Sequence, residues 1–174
     1  HACLNDGALL SRAQFIRYAH GDADALAARL AATRARRKVI ATDAVFSMAG
    51  DIAPLARLLE LADAHDAWLV VDDAHGFGVL GEGRGSLAHC GIASERVVYM
   101  GTLGKALGGY GAYVCASPET VEYLINTSRP FIFSTALPPP VVAAAIAALE
   151  LLESHPHRVE RLQVNASALA ESLA

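Results

Sequence analysis

The chain of 174 residues is poor in several things, and each shortage excludes something. Cysteine occurs three times, at Cys3, Cys90 and Cys115, with no C-x-x-C spacing. The odd count and the spacing argue against a disulfide framework and a structural zinc site, and they favour a reducing compartment, the cytoplasm. Charged residues make up 18% and the net charge is −4, so the basic surplus that nucleic acid or an anionic membrane would need is missing. The densest basic run, Arg34, Arg36, Arg37 and Lys38, lies between a helical pattern and a strand and reads as a solvated helix end. No apolar run is long enough to span a bilayer: Val141 to Leu149 stops at Glu150. A signal peptide is not visible. The chain starts at His1 rather than Met and ends inside an amphipathic run, Val159 to Leu173, which suggests a piece of a longer protein. A processed chain would look the same.

What is abundant is aliphatic. Hydrophobic residues reach 53%, enough for one domain with a sizeable core. Short apolar runs alternate with helical patterns. Residues 15–19 read as a strand and Ala25 to Arg36 as an Ala/Leu/Arg-rich helix. Residues 38–42 read as a second strand. Pro54 opens an amphipathic helix with Leu55, Leu58, Leu59 and Ala62 on one face, and Asp51 stands upstream as a source of capping charge. The run 67–71 has the continuous apolar character of a strand buried on both faces. Residues 97–100 and 112–116 form further strands, and helices follow Pro118 and the prolines 138–140. His155, Pro156 and His157 break the last of these before a new helix begins. Strand–helix alternation predicts an α/β fold with a mainly parallel sheet flanked by helices. Ligands in such folds sit at the carboxyl ends of strands.

Polar residues gather at those ends. The 38–42 strand leads into Val45-Phe46-Ser47-Met48, the 67–71 strand into Asp72-Asp73-Ala74-His75-Gly76, and the 97–100 strand into Gly101-Thr102-Leu103-Gly104-Lys105. Taken alone, Asp72 reads as a helix cap or surface acid. With His75 it forms Asp-x-x-His, half of a metal-ligand pattern, but no third ligand follows at recognisable spacing and no metal is expected. Taken alone, Lys105 reads equally as a loop lysine among glycines. Neither the Walker phosphate loop nor the dinucleotide G-x-G-x-x-G is present, which argues against a nucleotide-binding dehydrogenase domain. Together the residues fit pyridoxal phosphate (PLP) chemistry. An amine is needed for the aldehyde, an acid for the pyridine nitrogen, and hydroxyls for the phosphate. Lys105, Asp72, Thr102 and Ser47 supply these types at adjacent strand ends. A catalytically dead interaction module would not need all of them.

The motifs resemble those of the α-oxoamine synthases. They are Ser47-Met48-Ala49-Gly50-Asp51 through Leu55, Val71-Asp72-Asp73-Ala74-His75-Gly76 with Gly78-Val79-Leu80-Gly81 and Gly83-Arg84-Gly85, Gly101 through Gly109, and Arg129-Pro130-Phe131-Ile132-Phe133-Ser134-Thr135-Ala136-Leu137-Pro138-Pro139. The resemblance covers residues 1 to about 155 and implies a fold-type-I PLP-dependent transferase, with 1–154 as part of its large domain and 155–174 as the start of the C-terminal small domain. It implies Lys105 as the Schiff-base lysine, Asp72 against the pyridine nitrogen, His75 at the phenolic oxygen with Ser47 near that edge, and Thr102 on the phosphate. His1, in His1-Ala2-Cys3-Leu4, would stack on the ring and help place the substrate. Ser134 and Thr135 would reach the phosphate of a neighbouring subunit in a homodimer with a shared active site. Lys105, His1 and Asp72 are the catalytic candidates; Asp73 is expected to be structural, and His65, His89, His155 and His157 to be surface residues.

The chain departs from the pattern at Cys3, where Ser is usual, at Phe77, where a small or polar residue is common, and at residues 81–85, one residue short. The family's upstream glycine segment and its carboxylate-binding arginine are expected outside residues 1–174. Within the family, the segments around Asp72 and Arg129 are most similar to those of the biotin-pathway member, and the resemblance implies the biotin-pathway reaction. It joins L-alanine to a pimeloyl thioester of CoA or a carrier protein, with loss of carbon dioxide. A glycine-using relative, such as a glycine C-acetyltransferase, is the alternative.

Overall fold

The computed structural model describes residues 1–173. At its centre is the apolar strand β2 (Ala67–Asp72), hydrogen-bonded in parallel to β1 (Lys38–Asp43) on one side and β3 (Val97–Thr102) on the other. The hairpin strand β4 (Ala112–Cys115) runs antiparallel to β3, giving the order β1-β2-β3-β4. One face of this sheet presents Ile40, Leu69, Val71, Val97 and Tyr99, all buried. Against it pack α2 (Ala23–Ala32), through Leu26 and Leu30, and α3 (Leu55–Ala64), through Leu55, Leu58, Leu61 and Ala62. These positions recur every three or four residues, which aligns them on one side of each helix.

The remaining elements frame this layer. Helix α1 (Ala2–Leu10) precedes it, and the one-turn helix α4 (Ser86–His89) lies between β2 and β3. Helices α5 (Pro118–Thr127), α6 (Arg129–Ile132), α7 (Pro139–Ser154) and α8 (His157–Leu173) follow β4. Arg96 ties the end of α3 to the approach to β3: its Nε lies 2.9 Å from Asp63 and its Nη1 2.9 Å from Asp66.

The α/β layout agrees with the expected one, and four details differ. Residues 15–19 form no strand: among the described residues no strand pairs with that run, Phe15 and Ile16 stay substantially exposed, and Tyr18 packs on the core. The helix expected over 25–36 is shifted to Ala23–Ala32, because the Asp22 carboxylate caps it at Ala25 N (2.8 Å) and Thr33 leaves it in extended conformation. The arginines that follow are accordingly in a loop, exposed. Asp51 does not cap α3; its carboxylate is 2.7 Å from His20 Nε2. Finally, β2 is buried on one face only, since Trp68 is 42% exposed on the other.

Leu58 fills the interface between α3 and the sheet at 1% exposure, whereas Val39 on the open face is 65% exposed. Leu58→Ala should lower unfolding free energy in urea by about 2–5 kcal/mol. Val39→Ala should change it by no more than about 0.5 kcal/mol.

Candidate active site

The site is built from two loops that leave the ends of neighbouring strands. Asp72 is the last residue of β2, 4% exposed, and its Oδ1 accepts a hydrogen bond from Ala74 N at 3.0 Å. The chain then turns, with Gly76 N and Phe77 N both donating to Asp73 O, and this turn carries His75 sideways. Lys105 sits on the loop 103–111 of the β3–β4 hairpin. That loop is closed by Leu103 N to Gly111 O (2.9 Å), Gly109 N to Leu103 O (2.8 Å) and Gly108 N to Lys105 O (2.9 Å). The two loops meet where Lys105 Nζ stands 2.7 Å from His75 Nε2. Both side chains open on a cavity of about 500 Å3, walled further by Phe77, Leu107, Leu151 and Arg158.

Asp73 fixes the turn between Asp72 and His75. Its carboxylate is fully buried and accepts hydrogen bonds from Ser86 N (2.7 Å), from the Ser86 hydroxyl and from Tyr99 OH (2.7 Å). Its main-chain nitrogen donates to Met100 O at 2.8 Å. Strand β3, the start of α4 and the turn after β2 thus converge on one side chain. Two glycines make room for it. A Cβ at Gly76 would run into the Asp73 carboxylate and the Ser86 hydroxyl, and one at Gly85 into the carboxylate and Tyr99 OH. Gly85 also has φ +95, a conformation that disfavours any side chain.

Burial pushes the Asp72 carboxyl above the ordinary carboxylate range; the Ala74 N–H opposes this, Asp43 adds to it, and the Lys105 cation draws it back. Burial also raises the two phenols next to the Asp73 carboxylate, Tyr99 and Tyr113, the latter to about 12. Phe77, unusual at its position, packs edge-on against Tyr113 with ring centroids 5.3 Å apart.

The structure therefore brings Asp72, His75 and Lys105 to adjoining strand ends. Thr102 is the last residue of β3; its hydroxyl donates to Gly111 O (3.1 Å) and accepts from Gly104 N (3.2 Å), bracing the base of the lysine loop. His1 lies at the end of β1, its terminal ammonium 2.6 Å from Asp43 Oδ2. Ser47 is exposed in the turn closed by Gly50 N to Phe46 O, and Ser134 and Thr135 are exposed between α6 and α7. Those three make no hydrogen bond to the cluster among the described residues. Asp43 is a polar strand-end residue that the motifs do not single out; the signal for it was its place one residue after an apolar run, the same place Asp72 holds. Among the described residues no group of three or more His, Cys, Asp or Glu is arranged to hold a metal ion.

An amine beside an imidazole, with a buried carboxylate at the next strand end, matches the donor set for PLP, and fold and site together define the large domain of a fold-type-I enzyme. The chain belongs to the aminotransferase class I and II family, whose description matches residues 1–174. It is 59% identical over 163 residues to the 8-amino-7-oxononanoate synthase of Aromatoleum aromaticum, covering 93% of this chain and 42% of that protein. With the 8-amino-7-oxononanoate synthase of Cupriavidus metallidurans it shares 59% identity over 162 residues, 92% of this chain and 40% of the relative. The chain thus spans about two fifths of the length of these relatives. Among solved structures it resembles a serine palmitoyltransferase from S. paucimobilis with bound PLP, at TM-score 0.90 and 33% identity over 95% of this chain and 42% of the other. It also resembles the 8-amino-7-oxononanoate synthase of Francisella tularensis, at TM-score 0.79 and 37% identity over 95% of this chain and 48% of the other. These proteins are α-oxoamine synthases, the group the motifs resemble.

The raised proton affinity of Asp72 costs the folded chain stability wherever the carboxyl must be ionised. Without cofactor, Asp72→Asn should therefore melt higher than the parent near neutral pH. The gain should disappear as pH falls through the ordinary carboxylate range, where the parent's Asp72 is protonated in both states. Thermal melts across pH check this sign. Gly85→Ala, which must collide with Asp73 and hold φ positive, should cost about 2–4 kcal/mol in the same melts.

Proposed function

We propose that this chain carries the cofactor-binding part of a PLP-dependent acyltransferase that condenses L-alanine with a pimeloyl thioester to 8-amino-7-oxononanoate in biotin synthesis. The observation that carries the proposal is the 2.7 Å approach of Lys105 to His75 beside buried Asp72, on a chain 59% identical to 8-amino-7-oxononanoate synthases. PLP, when bound, supplies an electron sink for the carbanion formed at the amino acid's α-carbon. Lys105 Nζ would hold the cofactor and, once free, would accept the α-proton of the amino acid. His75 Nε2, within hydrogen-bond reach of Nζ, orients that amine and would hold the cofactor's phenolic oxygen. Asp72 holds a proton at the pyridine nitrogen, a task suited to a carboxyl with raised proton affinity. Thr102 steadies the lysine loop and would meet the phosphate, His1 would stack on the ring, and Ser47 would flank its phenolic edge.

The enzyme so proposed is a cytoplasmic homodimer. Phe131, Phe133 and Ile146 are large apolar residues left half or more exposed on α6, α7 and the turn between them, suited to a second copy. Ser134 and Thr135, next to that surface, would then reach the phosphate in the partner's site. No helix among the described residues is long and apolar enough to cross a membrane. Residues 1–154 form part of the large domain, and 155–174 open the small one.

Borohydride treatment of the full-length enzyme should fix PLP to Lys105, and Lys105→Ala should abolish both the cofactor's visible absorbance and turnover. Labelling of another lysine would overturn the assignment. Asp72→Asn should lower kcat by about three orders of magnitude, equivalent to about 4 kcal/mol of barrier. In competition assays alanine with pimeloyl-CoA should be preferred over glycine with acetyl-CoA. The alanine methyl alone contributes only about 1–3 kcal/mol of that preference. The reverse preference would identify a glycine C-acetyltransferase and leave Lys105, Asp72 and His75 in their roles.

A further inference from the structure

Asp43 has no part in the chemistry described so far, yet it stands beside the residue on which that chemistry turns. It closes β1 as Asp72 closes β2, and the two are register partners on adjacent parallel strands. Such partners project from the same face of a sheet, with strands about 4.8 Å apart, so two carboxyl groups lie side by side. The next residue in the row, opposite Asp72 on β3, is Met100, which offers no charge to either. The Asp43 side chain is only 15% exposed, and Asp72 is 4% exposed. Among the described residues the Asp43 carboxylate has one partner, the terminal ammonium of His1 at 2.6 Å, and no Lys or Arg side chain pairs with it. The other titratable or charged groups around the pair are Lys105 and His75, on the loops after β3 and β2, and the ring of His1. The pair repels: Asp43 raises the proton affinity of Asp72, and the His1 ammonium lowers it.

The pair becomes useful when a positive charge is to be kept at the strand ends. We propose that Asp43 is a positioning residue of this site, a second carboxylate that acts through Asp72 to hold the proton on the cofactor's pyridine nitrogen. The proposal rests on the PLP reading above. Its electrostatic sense is consistent: Asp43 adds to the burial that makes Asp72 harder to ionise, and the same negative charge makes a pyridinium easier to keep. The proton between Asp72 and the nitrogen is then held by two carboxyl groups rather than one.

The test uses full-length holoenzyme loaded with PLP labelled with 15N at the pyridine nitrogen, followed by NMR across pH. In the parent the nitrogen should stay protonated over the whole stable range. In Asp43→Asn its protonation should weaken by about tenfold, a shift of about one pH unit. The value of kcat should fall by a similar factor with KM for alanine little changed. Asp43→Glu should restore both. Asp43→Ser, a smaller neutral variant, must shift the nitrogen in the same direction and keeps the test open should the Asn variant fold poorly. A nitrogen that titrates alike in the parent and in both neutral variants would overturn the role of Asp43 while leaving the cofactor reading intact. So would equal losses in the Asn and Glu variants, which would make the position merely structural. A parent that takes up no labelled PLP at Lys105 would instead overturn the reading on which the proposal stands.

Discussion

Asp73 gives up all contact with water and in return receives a main-chain N–H, a serine hydroxyl and a tyrosine phenol. A carboxylate buried without a cation is tolerable only when its oxygens are saturated in this way. The geometry of the site follows from that requirement. Meeting it pulls the start of α4 and the middle of β3 onto the turn after β2. The turn can then leave the sheet in only one direction, and that direction sets where Asp72 stops and where His75 points. Lys105, arriving from the far end of β3, meets an imidazole whose place has been set by a neighbour that does not touch it. Gly76 and Gly85 have no chemistry of their own; they are the space that the Asp73 carboxylate occupies.

The parallel alignment of β1, β2 and β3 contributes the other half. Parallel strands deliver their carboxyl ends to one edge of the sheet. Three polar loops, far apart in sequence, therefore leave the sheet at the same edge. The side of the sheet that carries Ile40, Leu69 and Val97 is sealed by α2 and α3, while the side with Val39 and Trp68 is not. The stabilising layer and the chemical edge are thus supplied by different residues of the same strands.

Much of this was legible in the chain. The strands 38–42, 67–71 and 97–100 stood out as apolar runs, and the polar residues that follow them led directly to Asp72, His75 and Lys105. Their types, more than their surroundings, named the chemistry. Other features depend on pairing, which composition does not record. Residues 15–19 have the same apolar character as a strand, but no strand lies beside them. Trp68 belongs to a continuous apolar run, yet nothing among the described residues covers it. The antiparallel direction of β4 is set by the nine-residue loop before it, too short for a crossover connection to a parallel strand. Asp43 escaped notice because its meaning comes from the strand next to it: in sequence it is one acid after a strand, and only the register makes it the neighbour of Asp72.

The hairpin that bears Lys105 has a mechanical consequence. Its three main-chain hydrogen bonds close the loop upon itself, and the Thr102 hydroxyl fastens its base. A lysine that must let go of one partner and take hold of another can do so from such a mount by turning its own four-carbon stem. Rotations of exposed side chains run on picosecond to nanosecond scales, far faster than loop rearrangement. In the role proposed for it, the amine would work like a crane arm on a bolted base: its reach would repeat from one turnover to the next, and no part of the sheet would have to yield when it swings.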